Sequence, residues 1–440
     1  MDNISTATSE TVGGLSTRQG PMRALLVSQF FAPEPMSIVG PGLVGALNRS
    51  GFDIDVLTGF PNYPGGRIYD GHSIRPWKRE SRQDFTVTRV PLFPSRSGNP
   101  IGRIANYGSF AVSSALLGPL LLRRPDVVYV YLSPATAAVG PALWRAIGGI
   151  PYVLHVQDLW PESVTGSEML RGAGARLAEH FLSSNLKRLY RNAGAVVAQS
   201  PRMMALLLER GAPVTKTSYI YNWADESAVC DVPTSEAEHE IDLLAQLGFQ
   251  GRFTLLYAGN LGFVQGLESA IRAASLLVDD PRFRLALAGS GPAEASLREL
   301  AMQLGCTNVD FLGRFPPEEI GQLYAAADAT LIQLKDLPLF EATIPSKTQA
   351  ALRYGRPIIV AVGGDAADLV EAAGAGFRAI PGDPRDLAAS IRRMMMASAE
   401  ERSAMGRRGR DFYNRTISTE IGAVRLAGIL AQVARGGSNN

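Results

Sequence analysis

Cysteine and histidine are scarce in this 440-residue sequence: two cysteines, Cys230 and Cys306, and four histidines. Two thiols far apart argue against a disulfide framework or a zinc site and fit a reducing compartment. So few imidazoles argue against a metal centre built on histidine. Charge of one sign is lacking too. The net formal charge is +2, which provides no broad basic field for nucleic acid. The chain does not open on an apolar signal segment. Residues 1–21 are rich in Ser, Thr and Gly and read as a disordered extension, with Met22 as an alternative start. What remains is an ordinary globular composition, 46% apolar and 19% charged. At this length two domains are expected, because single cores seldom grow so large.

One long stretch has no charge at all. Residues 104–122 lie between Arg103 and the pair Arg123-Arg124. The length approaches the roughly 20 residues that a membrane span needs. Asn106, Tyr107, Ser109, Ser113, Ser114 and Pro119 dilute it. Three readings stay open: a buried crossover helix, a helix lying in a membrane interface, and a true span.

After Met22, short β-branched and aromatic runs alternate with helical stretches, the pattern of α/β domains with parallel sheets. Strands are expected at 23–28, 53–57, 85–90, 127–131, 151–156, 195–199 and 217–221. A second series follows at 253–258, 283–288, 309–312, 329–333, 357–362 and 377–380. The two series predict two doubly wound, Rossmann-like domains, 22–224 and 252–416, facing each other across a cleft. A linker at 225–251 carries Pro233 and an acidic run at 236–240. Within 417–440 a last helix near 418–433 is expected to cross back to the first domain. In such sheets ligands bind beyond the carboxyl ends of the strands, so the loops there hold the chemistry.

Seven loops stand out. Gln29-Phe30-Phe31-Ala32-Pro33-Glu34-Pro35 leads through Ser37 to Gly40, Pro41 and Gly42, either a tight turn or a place where a ligand meets backbone N–H groups. The long connection 60–84 holds Pro61-Asn62-Tyr63-Pro64-Gly65-Gly66 and the cations Arg67, Arg75, Lys78, Arg79 and Arg82. It is either a solvated loop or a contact for a phosphate-bearing substrate or a membrane. His155-Val156-Gln157-Asp158-Leu159-Trp160-Pro161-Glu162-Ser163 puts titratable groups at a strand end. Asp158 or Glu162 is a candidate base or hydroxyl-orienting group, and Asp158 is equally a candidate cap. Gly259-Asn260-Leu261-Gly262-Phe263-Val264-Gln265-Gly266 and Gly289-Ser290-Gly291-Pro292 are glycine-rich turns of the kind that cradle phosphate, and Gly313-Arg314 follows the next strand.

The seventh loop runs from Glu341 through Ile344-Pro345-Ser346-Lys347 to Gly355 and Pro357. Pro345 suits the first turn of a helix, Gly355 its end, and Ser346 and Lys347 beside a helix N-terminus make an anion site.

Taken in order, these motifs resemble the family 4 glycosyltransferases of the GT-B fold. The resemblance rests on Phe31-Ala32-Pro33-Glu34, Tyr221-Asn222-Trp223, Tyr257-Ala258-Gly259-Asn260, Gly289-Ser290-Gly291-Pro292, Val309-Asp310-Phe311-Leu312-Gly313 and Leu323-Tyr324-Ala325-Ala326-Ala327-Asp328. Phe60-Pro61-Asn62-Tyr63-Pro64, Asp158-Leu159-Trp160-Pro161-Glu162-Ser163 and Ile344-Pro345-Ser346-Lys347 resemble the branch of bacterial amino-sugar (L-fucosamine-type) transferases. That branch acts in O-antigen, capsule and colanic-acid-type polysaccharide assembly.

The resemblance implies a retaining, metal-independent transferase that takes a nucleotide-sugar donor, UDP-linked, and no separate cofactor. The donor would lie on the second domain, lined by Gly259, Asn260, Gln265, Ser290, Gly291, Arg314, Glu341, Ser346 and Lys347. The acceptor, a lipid-linked saccharide, would meet Gly40, Gly42, His155 and Asp158 on the first. His155, Asp158, Glu341 and Lys347 are the catalytic candidates. A cytoplasmic protein, peripheral at the inner face of the membrane, would follow. The family usually places an Arg and a Lys where this chain has Asn260 and Gln265. Its pattern of Glu, seven residues, Glu starts at Glu341 and meets Gln349, or Ala350 when aligned through Gly355 and Pro357. Lys347 is expected to replace the missing basic pair at the departing diphosphate. Two other readings are an epimerase or hydrolase acting on sugar nucleotides, and a non-catalytic assembly partner.

Overall fold

The computed structural model describes residues 20–36, 38–95, 100–160, 173–226 and 247–437. Ser37, the extension up to residue 19, Pro161-Glu162-Ser163 and most of the 225–251 linker, Pro233 and the acidic run included, lie outside the described residues.

The first sheet is built of β1 (Met22–Val27), β2 (Phe52–Gly59), β3 (Lys78–Ser81), β4 (Thr86–Val90), β5 (Val127–Leu132), β6 (Tyr152–Val156), β7 (Ala195–Ala198) and β8 (Thr217–Tyr219). Their order is β3-β4-β2-β1-β5-β6-β7-β8. All pairs are parallel except β3 with β4. Every residue of β5 and β6 is buried, as expected where helices cover both faces of a parallel sheet. One face packs under the helices Pro41–Arg49 and Thr419–Gly437, the other under Pro100–Leu121 and Val139–Gly148.

The second sheet contains β9 (Phe253–Ala258), β10 (Phe283–Ala288), β11 (Val309–Gly313), β12 (Ala329–Gln333), β13 (Ile358–Ala361) and β14 (Gly376–Arg378). Their order, β11-β10-β9-β12-β13-β14, is doubly wound, with all pairs parallel. The strand order reverses between β9 and β12 here, and between β1 and β5 in the first sheet. Such reversals open a crevice at the carboxyl end of the sheet.

Local chemistry sets the helix ends. Pro41, Pro201 and Pro384 occupy first-turn positions, where a missing N–H costs nothing. Ser398 and Glu401 form a reciprocal capping box. The last helix, Thr419–Gly437, lies on the first domain. Arg49 pairs with Glu420 at 2.8 Å, and Trp223 is buried against Gly422.

Two features depart from the sequence expectations. The connection 60–84 contains an extra strand, β3, antiparallel at the sheet edge. Its Glu80 meets fully buried Arg89 at 3.0 Å. Burial alone would raise the Glu80 carboxyl, but hydrogen bonds and charge from Arg89, then Lys78, bring it down to about 2. The uncharged stretch is the helix Pro100–Leu121. Its polar residues turn into the domain, with Asn106 and Ser114 buried, while an apolar row faces out. It packs on the sheet along one side, so it is not a fully buried crossover, and by length and composition it is long and apolar enough to cross a membrane.

Candidate functional site

Loops from the carboxyl ends of both sheets meet. After β7, Ser200 Oγ donates to the Ala342 carbonyl at 3.0 Å, in the loop after β12. Arg202 spans the same gap. Its guanidinium reaches Glu341 at 3.3 Å, Asp368 at 2.9 Å and Asp365 at 3.6 Å, and its backbone N–H donates to Asp365 at 2.8 Å. Glu341 is therefore engaged by a cation of the opposite domain. Arg202 had no signal in the sequence, because only the tertiary fold brings it there.

The second-domain wall is built on close backbone approach. Gly259 has φ +143°, and a Cβ there would overlap Lys347, lying 2.8 Å from Nζ. Gly289 has φ +141°, and its Cβ would overlap the Gly259 carbonyl oxygen. Neither site admits a side chain without displacing the turn. The turns after β9 and β10 are zipped by Gly259 N–H to Ala288 O (2.8 Å), Leu261 N–H to Ser290 O (3.0 Å) and Ala293 N–H to Leu261 O (2.9 Å). Gly291 sits against Leu261 and Asn260, and Asn260 is exposed. Gln265 ends a short helical turn, and its buried Oε1 has no donor among the described residues.

Ser346 is the first residue of the helix Ser346–Tyr354; Pro345 precedes it as the cap and Gly355 ends it. Lys347 follows, half-buried, with its ammonium 5.0 Å from the Tyr257 ring centroid. Among the described residues no carboxylate pairs with it. Burial lowers its pKa to about 8. The group touches solvent yet is crowded by protein. Gln349 is 2% exposed. In the orientation that satisfies its amide it donates to Pro345 O at 2.7 Å and Ser346 O at 3.2 Å. Gln349, one of the two residues that align with the second glutamate, thus secures the helix start and is buried.

On the first domain, Asp158 accepts a 2.7 Å hydrogen bond from Ser133 Oγ, in the loop after β5. Asp158 too is open to solvent but walled by protein. Burial raises its carboxyl, opposed by the Ser133 hydrogen bond. Tyr107 and Tyr131 both lie within electrostatic reach of it, and the Tyr107 ring is 6.3 Å from Trp160. Glu34 is 4% exposed and accepts N–H bonds from Phe31 (3.0 Å), Asn62 (2.8 Å) and Tyr63 (2.8 Å). It clamps the Phe31-Ala32-Pro33-Glu34 and Pro61-Asn62-Tyr63-Pro64 segments together.

His155 is a correction. It lies inside β6, 0% exposed, with Nδ1 2.8 Å from the Tyr129 hydroxyl and its ring edge-on to Tyr131. Burial pushes its pKa down to about 3. It belongs to the sheet core, out of a reactant's reach. Gly40 is the buried N-cap of the helix Pro41–Arg49, and open space surrounds Gly42. Arg314 stands exposed beyond edge strand β11, two strands from β9. Among the described residues no cluster of three or more metal-ligating side chains occurs. A cavity of about 610 Å³, lined by Asp328, Arg356, Arg402, Arg407 and Arg410, opens at the amino end of the second sheet, and none of the site residues lines it.

The two doubly wound domains agree with the sequence comparisons. A glycosyl transferase 4-like domain matches residues 40–223, and glycosyl transferases group 1 matches residues 242–412. The chain is a family 4 glycosyltransferase of the GT-B fold. Among curated relatives, the putative colanic acid biosynthesis glycosyl transferase WcaI of Escherichia coli is 29% identical over 363 residues, 80% of this chain and 84% of the relative. Among solved structures, sucrose-phosphate synthase from Thermosynechococcus elongatus superposes with a TM-score of 0.67 at 18% identity, covering 94% of this chain and all of that one. HepE of Anabaena, solved with UDP and glucose, gives 0.62 at 20%, covering 93% and 99%. These structures share the GT-B fold with this glycosyltransferase.

Proposed function

We propose that this glycosyltransferase moves a sugar, with retention of anomeric configuration, from a UDP-linked donor to a lipid-linked saccharide during assembly of a bacterial surface polysaccharide. The observation that carries the reading is Lys347: an ammonium without a carboxylate partner among the described residues, at a helix N-terminus and against the Gly259 turn. A half-buried cation held without a counter-ion is costly, and a diphosphate supplies the missing charge. The colanic acid assignment of the WcaI relative and the UDP complex of HepE support donor and pathway class.

In this reaction the acceptor oxygen bonds to the anomeric carbon on the face from which the diphosphate leaves. The carbon–phosphate-oxygen bond breaks, and the acceptor proton passes to the departing phosphate oxygen. Asp158 orients the acceptor hydroxyl, while Lys347, the Ser346 end of its helix and the Gly259–Asn260 turn stabilise the developing charge. Charge neutralisation by protein groups makes the reaction metal-independent, so EDTA is expected to leave transfer unchanged. The protein works in the cytoplasm, at the inner face of the membrane. A thermal-shift screen of UDP-, GDP- and dTDP-sugars tests the donor: a UDP-sugar is expected to raise the melting temperature in a saturable way. A response to none of them would overturn the donor reading.

A further inference from the structure

The helix Pro100–Leu121 packs on the domain through Phe110, Ala111 and Ala115, yet its outward side is apolar as well. Its polar side chains also turn inward. Asn106 Nδ2 donates to Phe93 O (2.7 Å) and Asn62 Oδ1 (3.2 Å), and its Oδ1 accepts from Gln29 Nε2 (2.6 Å). Ser109 Oγ accepts from the Phe93 N–H (2.7 Å), and Ser113 Oγ donates to Pro91 O (2.6 Å). The outward row is Ile101, Ile104, Val112, Leu116 and Leu120, on one helical face. The helix Val139–Gly148 lies alongside, with Trp144 Nε1 donating to Ala115 O at 3.0 Å. It adds Val139, Leu143 and Ile147 to the same surface. These eight side chains are 41–79% exposed. Scattered apolar residues on a surface need no explanation, but two adjoining apolar stripes do.

Arginines flank this surface, and the sheet carboxylate Asp55 lies within electrostatic reach of Arg123. Arg123 and Arg124 follow the first helix, and Arg124 Nη2 donates to Gly148 O (2.6 Å), tying the two helix ends. Arg145 lies in the same segment, with Nη1 donating to Gly149 O (3.0 Å). Between residues 100 and 150 the one carboxylate is Asp126, which accepts from the Arg23 N–H at 3.0 Å. Arg103, Arg123, Arg124 and Arg145 outnumber it in this segment, a local cationic excess that suits an anionic bilayer better than a second copy of the same face.

We propose that these two helices seat the enzyme in the headgroup and acyl boundary of an anionic phospholipid bilayer, lying on it without crossing. The amino-terminal part of the first helix carries Tyr107, beside Trp160 and the Asp158 wall. The docked face thus adjoins the acceptor side of the cleft. Its purpose, delivery of a membrane-held acceptor, rests on the lipid-linked acceptor proposed above.

The test is flotation of the full-length protein with vesicles of phosphatidylglycerol and phosphatidylethanolamine, against phosphatidylcholine vesicles, with no nucleotide sugar or acceptor present. The wild type is expected to float with the anionic vesicles and to release in high salt. Leu116→Glu/Leu120→Glu and Ile147→Glu are expected to weaken binding at least about 10-fold with an unchanged melting temperature. Arg123→Ser is expected to weaken only anionic binding. The inference is overturned if the wild type stays soluble with every vesicle or if the glutamate variants float equally well. It is also overturned if light scattering shows a dimer that those variants split. Because no acceptor is present, flotation reports on the surface alone. Transfer to a lipid-linked acceptor in detergent reports separately on the proposed reaction.

Discussion

Replacing Lys347 by methionine separates a ligand-binding lysine from a structural one, because the two roles predict opposite signs. Methionine keeps the aliphatic stem and removes the charge. In the free protein the ammonium is destabilising: burial brings its pKa from 10.5 to about 8. At roughly 1.36 kcal/mol per pH unit, this corresponds to an upper bound near 3 kcal/mol, smaller to the extent that water reaches the group. A lysine with a depressed folded pKa carries that penalty in full below about pH 8, and the penalty fades as pH rises towards the unfolded value. At neutral pH Lys347→Met is therefore expected to melt at the same temperature as the wild type or a few degrees higher. The gain should vanish near pH 10.5.

Donor binding should move the other way. Losing a charge-assisted contact to a diphosphate costs about 1.5–3 kcal/mol, or about 10- to 150-fold in Kd. Wild-type affinity should also fall by about tenfold per pH unit above pH 8, where the free ammonium loses its proton. Lys347→Arg, which keeps its charge, should show a flat profile over that range. Calorimetric titration with the donor found in the thermal-shift screen, at pH 7, 8 and 9, reads all of this. A destabilised Lys347→Met variant with unchanged donor Kd would refute the reasoning.

Three further outcomes follow. Asp158→Asn is expected to lower kcat by about 100-fold or more with donor Kd unchanged. Because burial raises the Asp158 carboxyl, the acid limb of the wild-type rate profile should lie above the ordinary aspartate range, and the variant should lose that limb. Gly289→Ala puts a Cβ onto the Gly259 carbonyl at positive φ, and should cost about 2 kcal/mol or more in urea unfolding and abolish donor binding. Glu34→Gln withdraws one acceptor from three buried N–H groups, and should cost about 1–3 kcal/mol in the same assay while leaving donor Kd unchanged.

Much of this fold could be read from the chain because its strands are buried on both faces. Runs such as Phe253–Ala258, Phe283–Ala288 and Ala329–Gln333 announce themselves, and their observed bounds match the expected ones. Lys78–Ser81 could not be found this way. It is a polar edge strand held by Arg89, whose partner is set by tertiary structure. The glycine turns were legible as places of close approach, though not what approaches: Lys347 at Gly259, and a carbonyl at Gly289. His155 looked like a strand-end residue. Register decides otherwise, pairing it with Tyr131 and Val197 inside the sheet. Ser133 and Arg202 gave no local signal, since their partners lie 25 and 139 or more residues away. The helix Pro100–Leu121 was ambiguous in composition because the direction of its polar residues depends on Gln29, Asn62 and Phe93.

The decisive measurement follows label from a UDP-sugar carrying a radioactive glycosyl group, with and without bacterial membrane extract. Glycosyl transfer predicts label in the lipid fraction and an equimolar release of UDP that requires the extract. Release of UDP without extract, or label that stays water-soluble when extract is present, would contradict transfer to a lipid-linked acceptor.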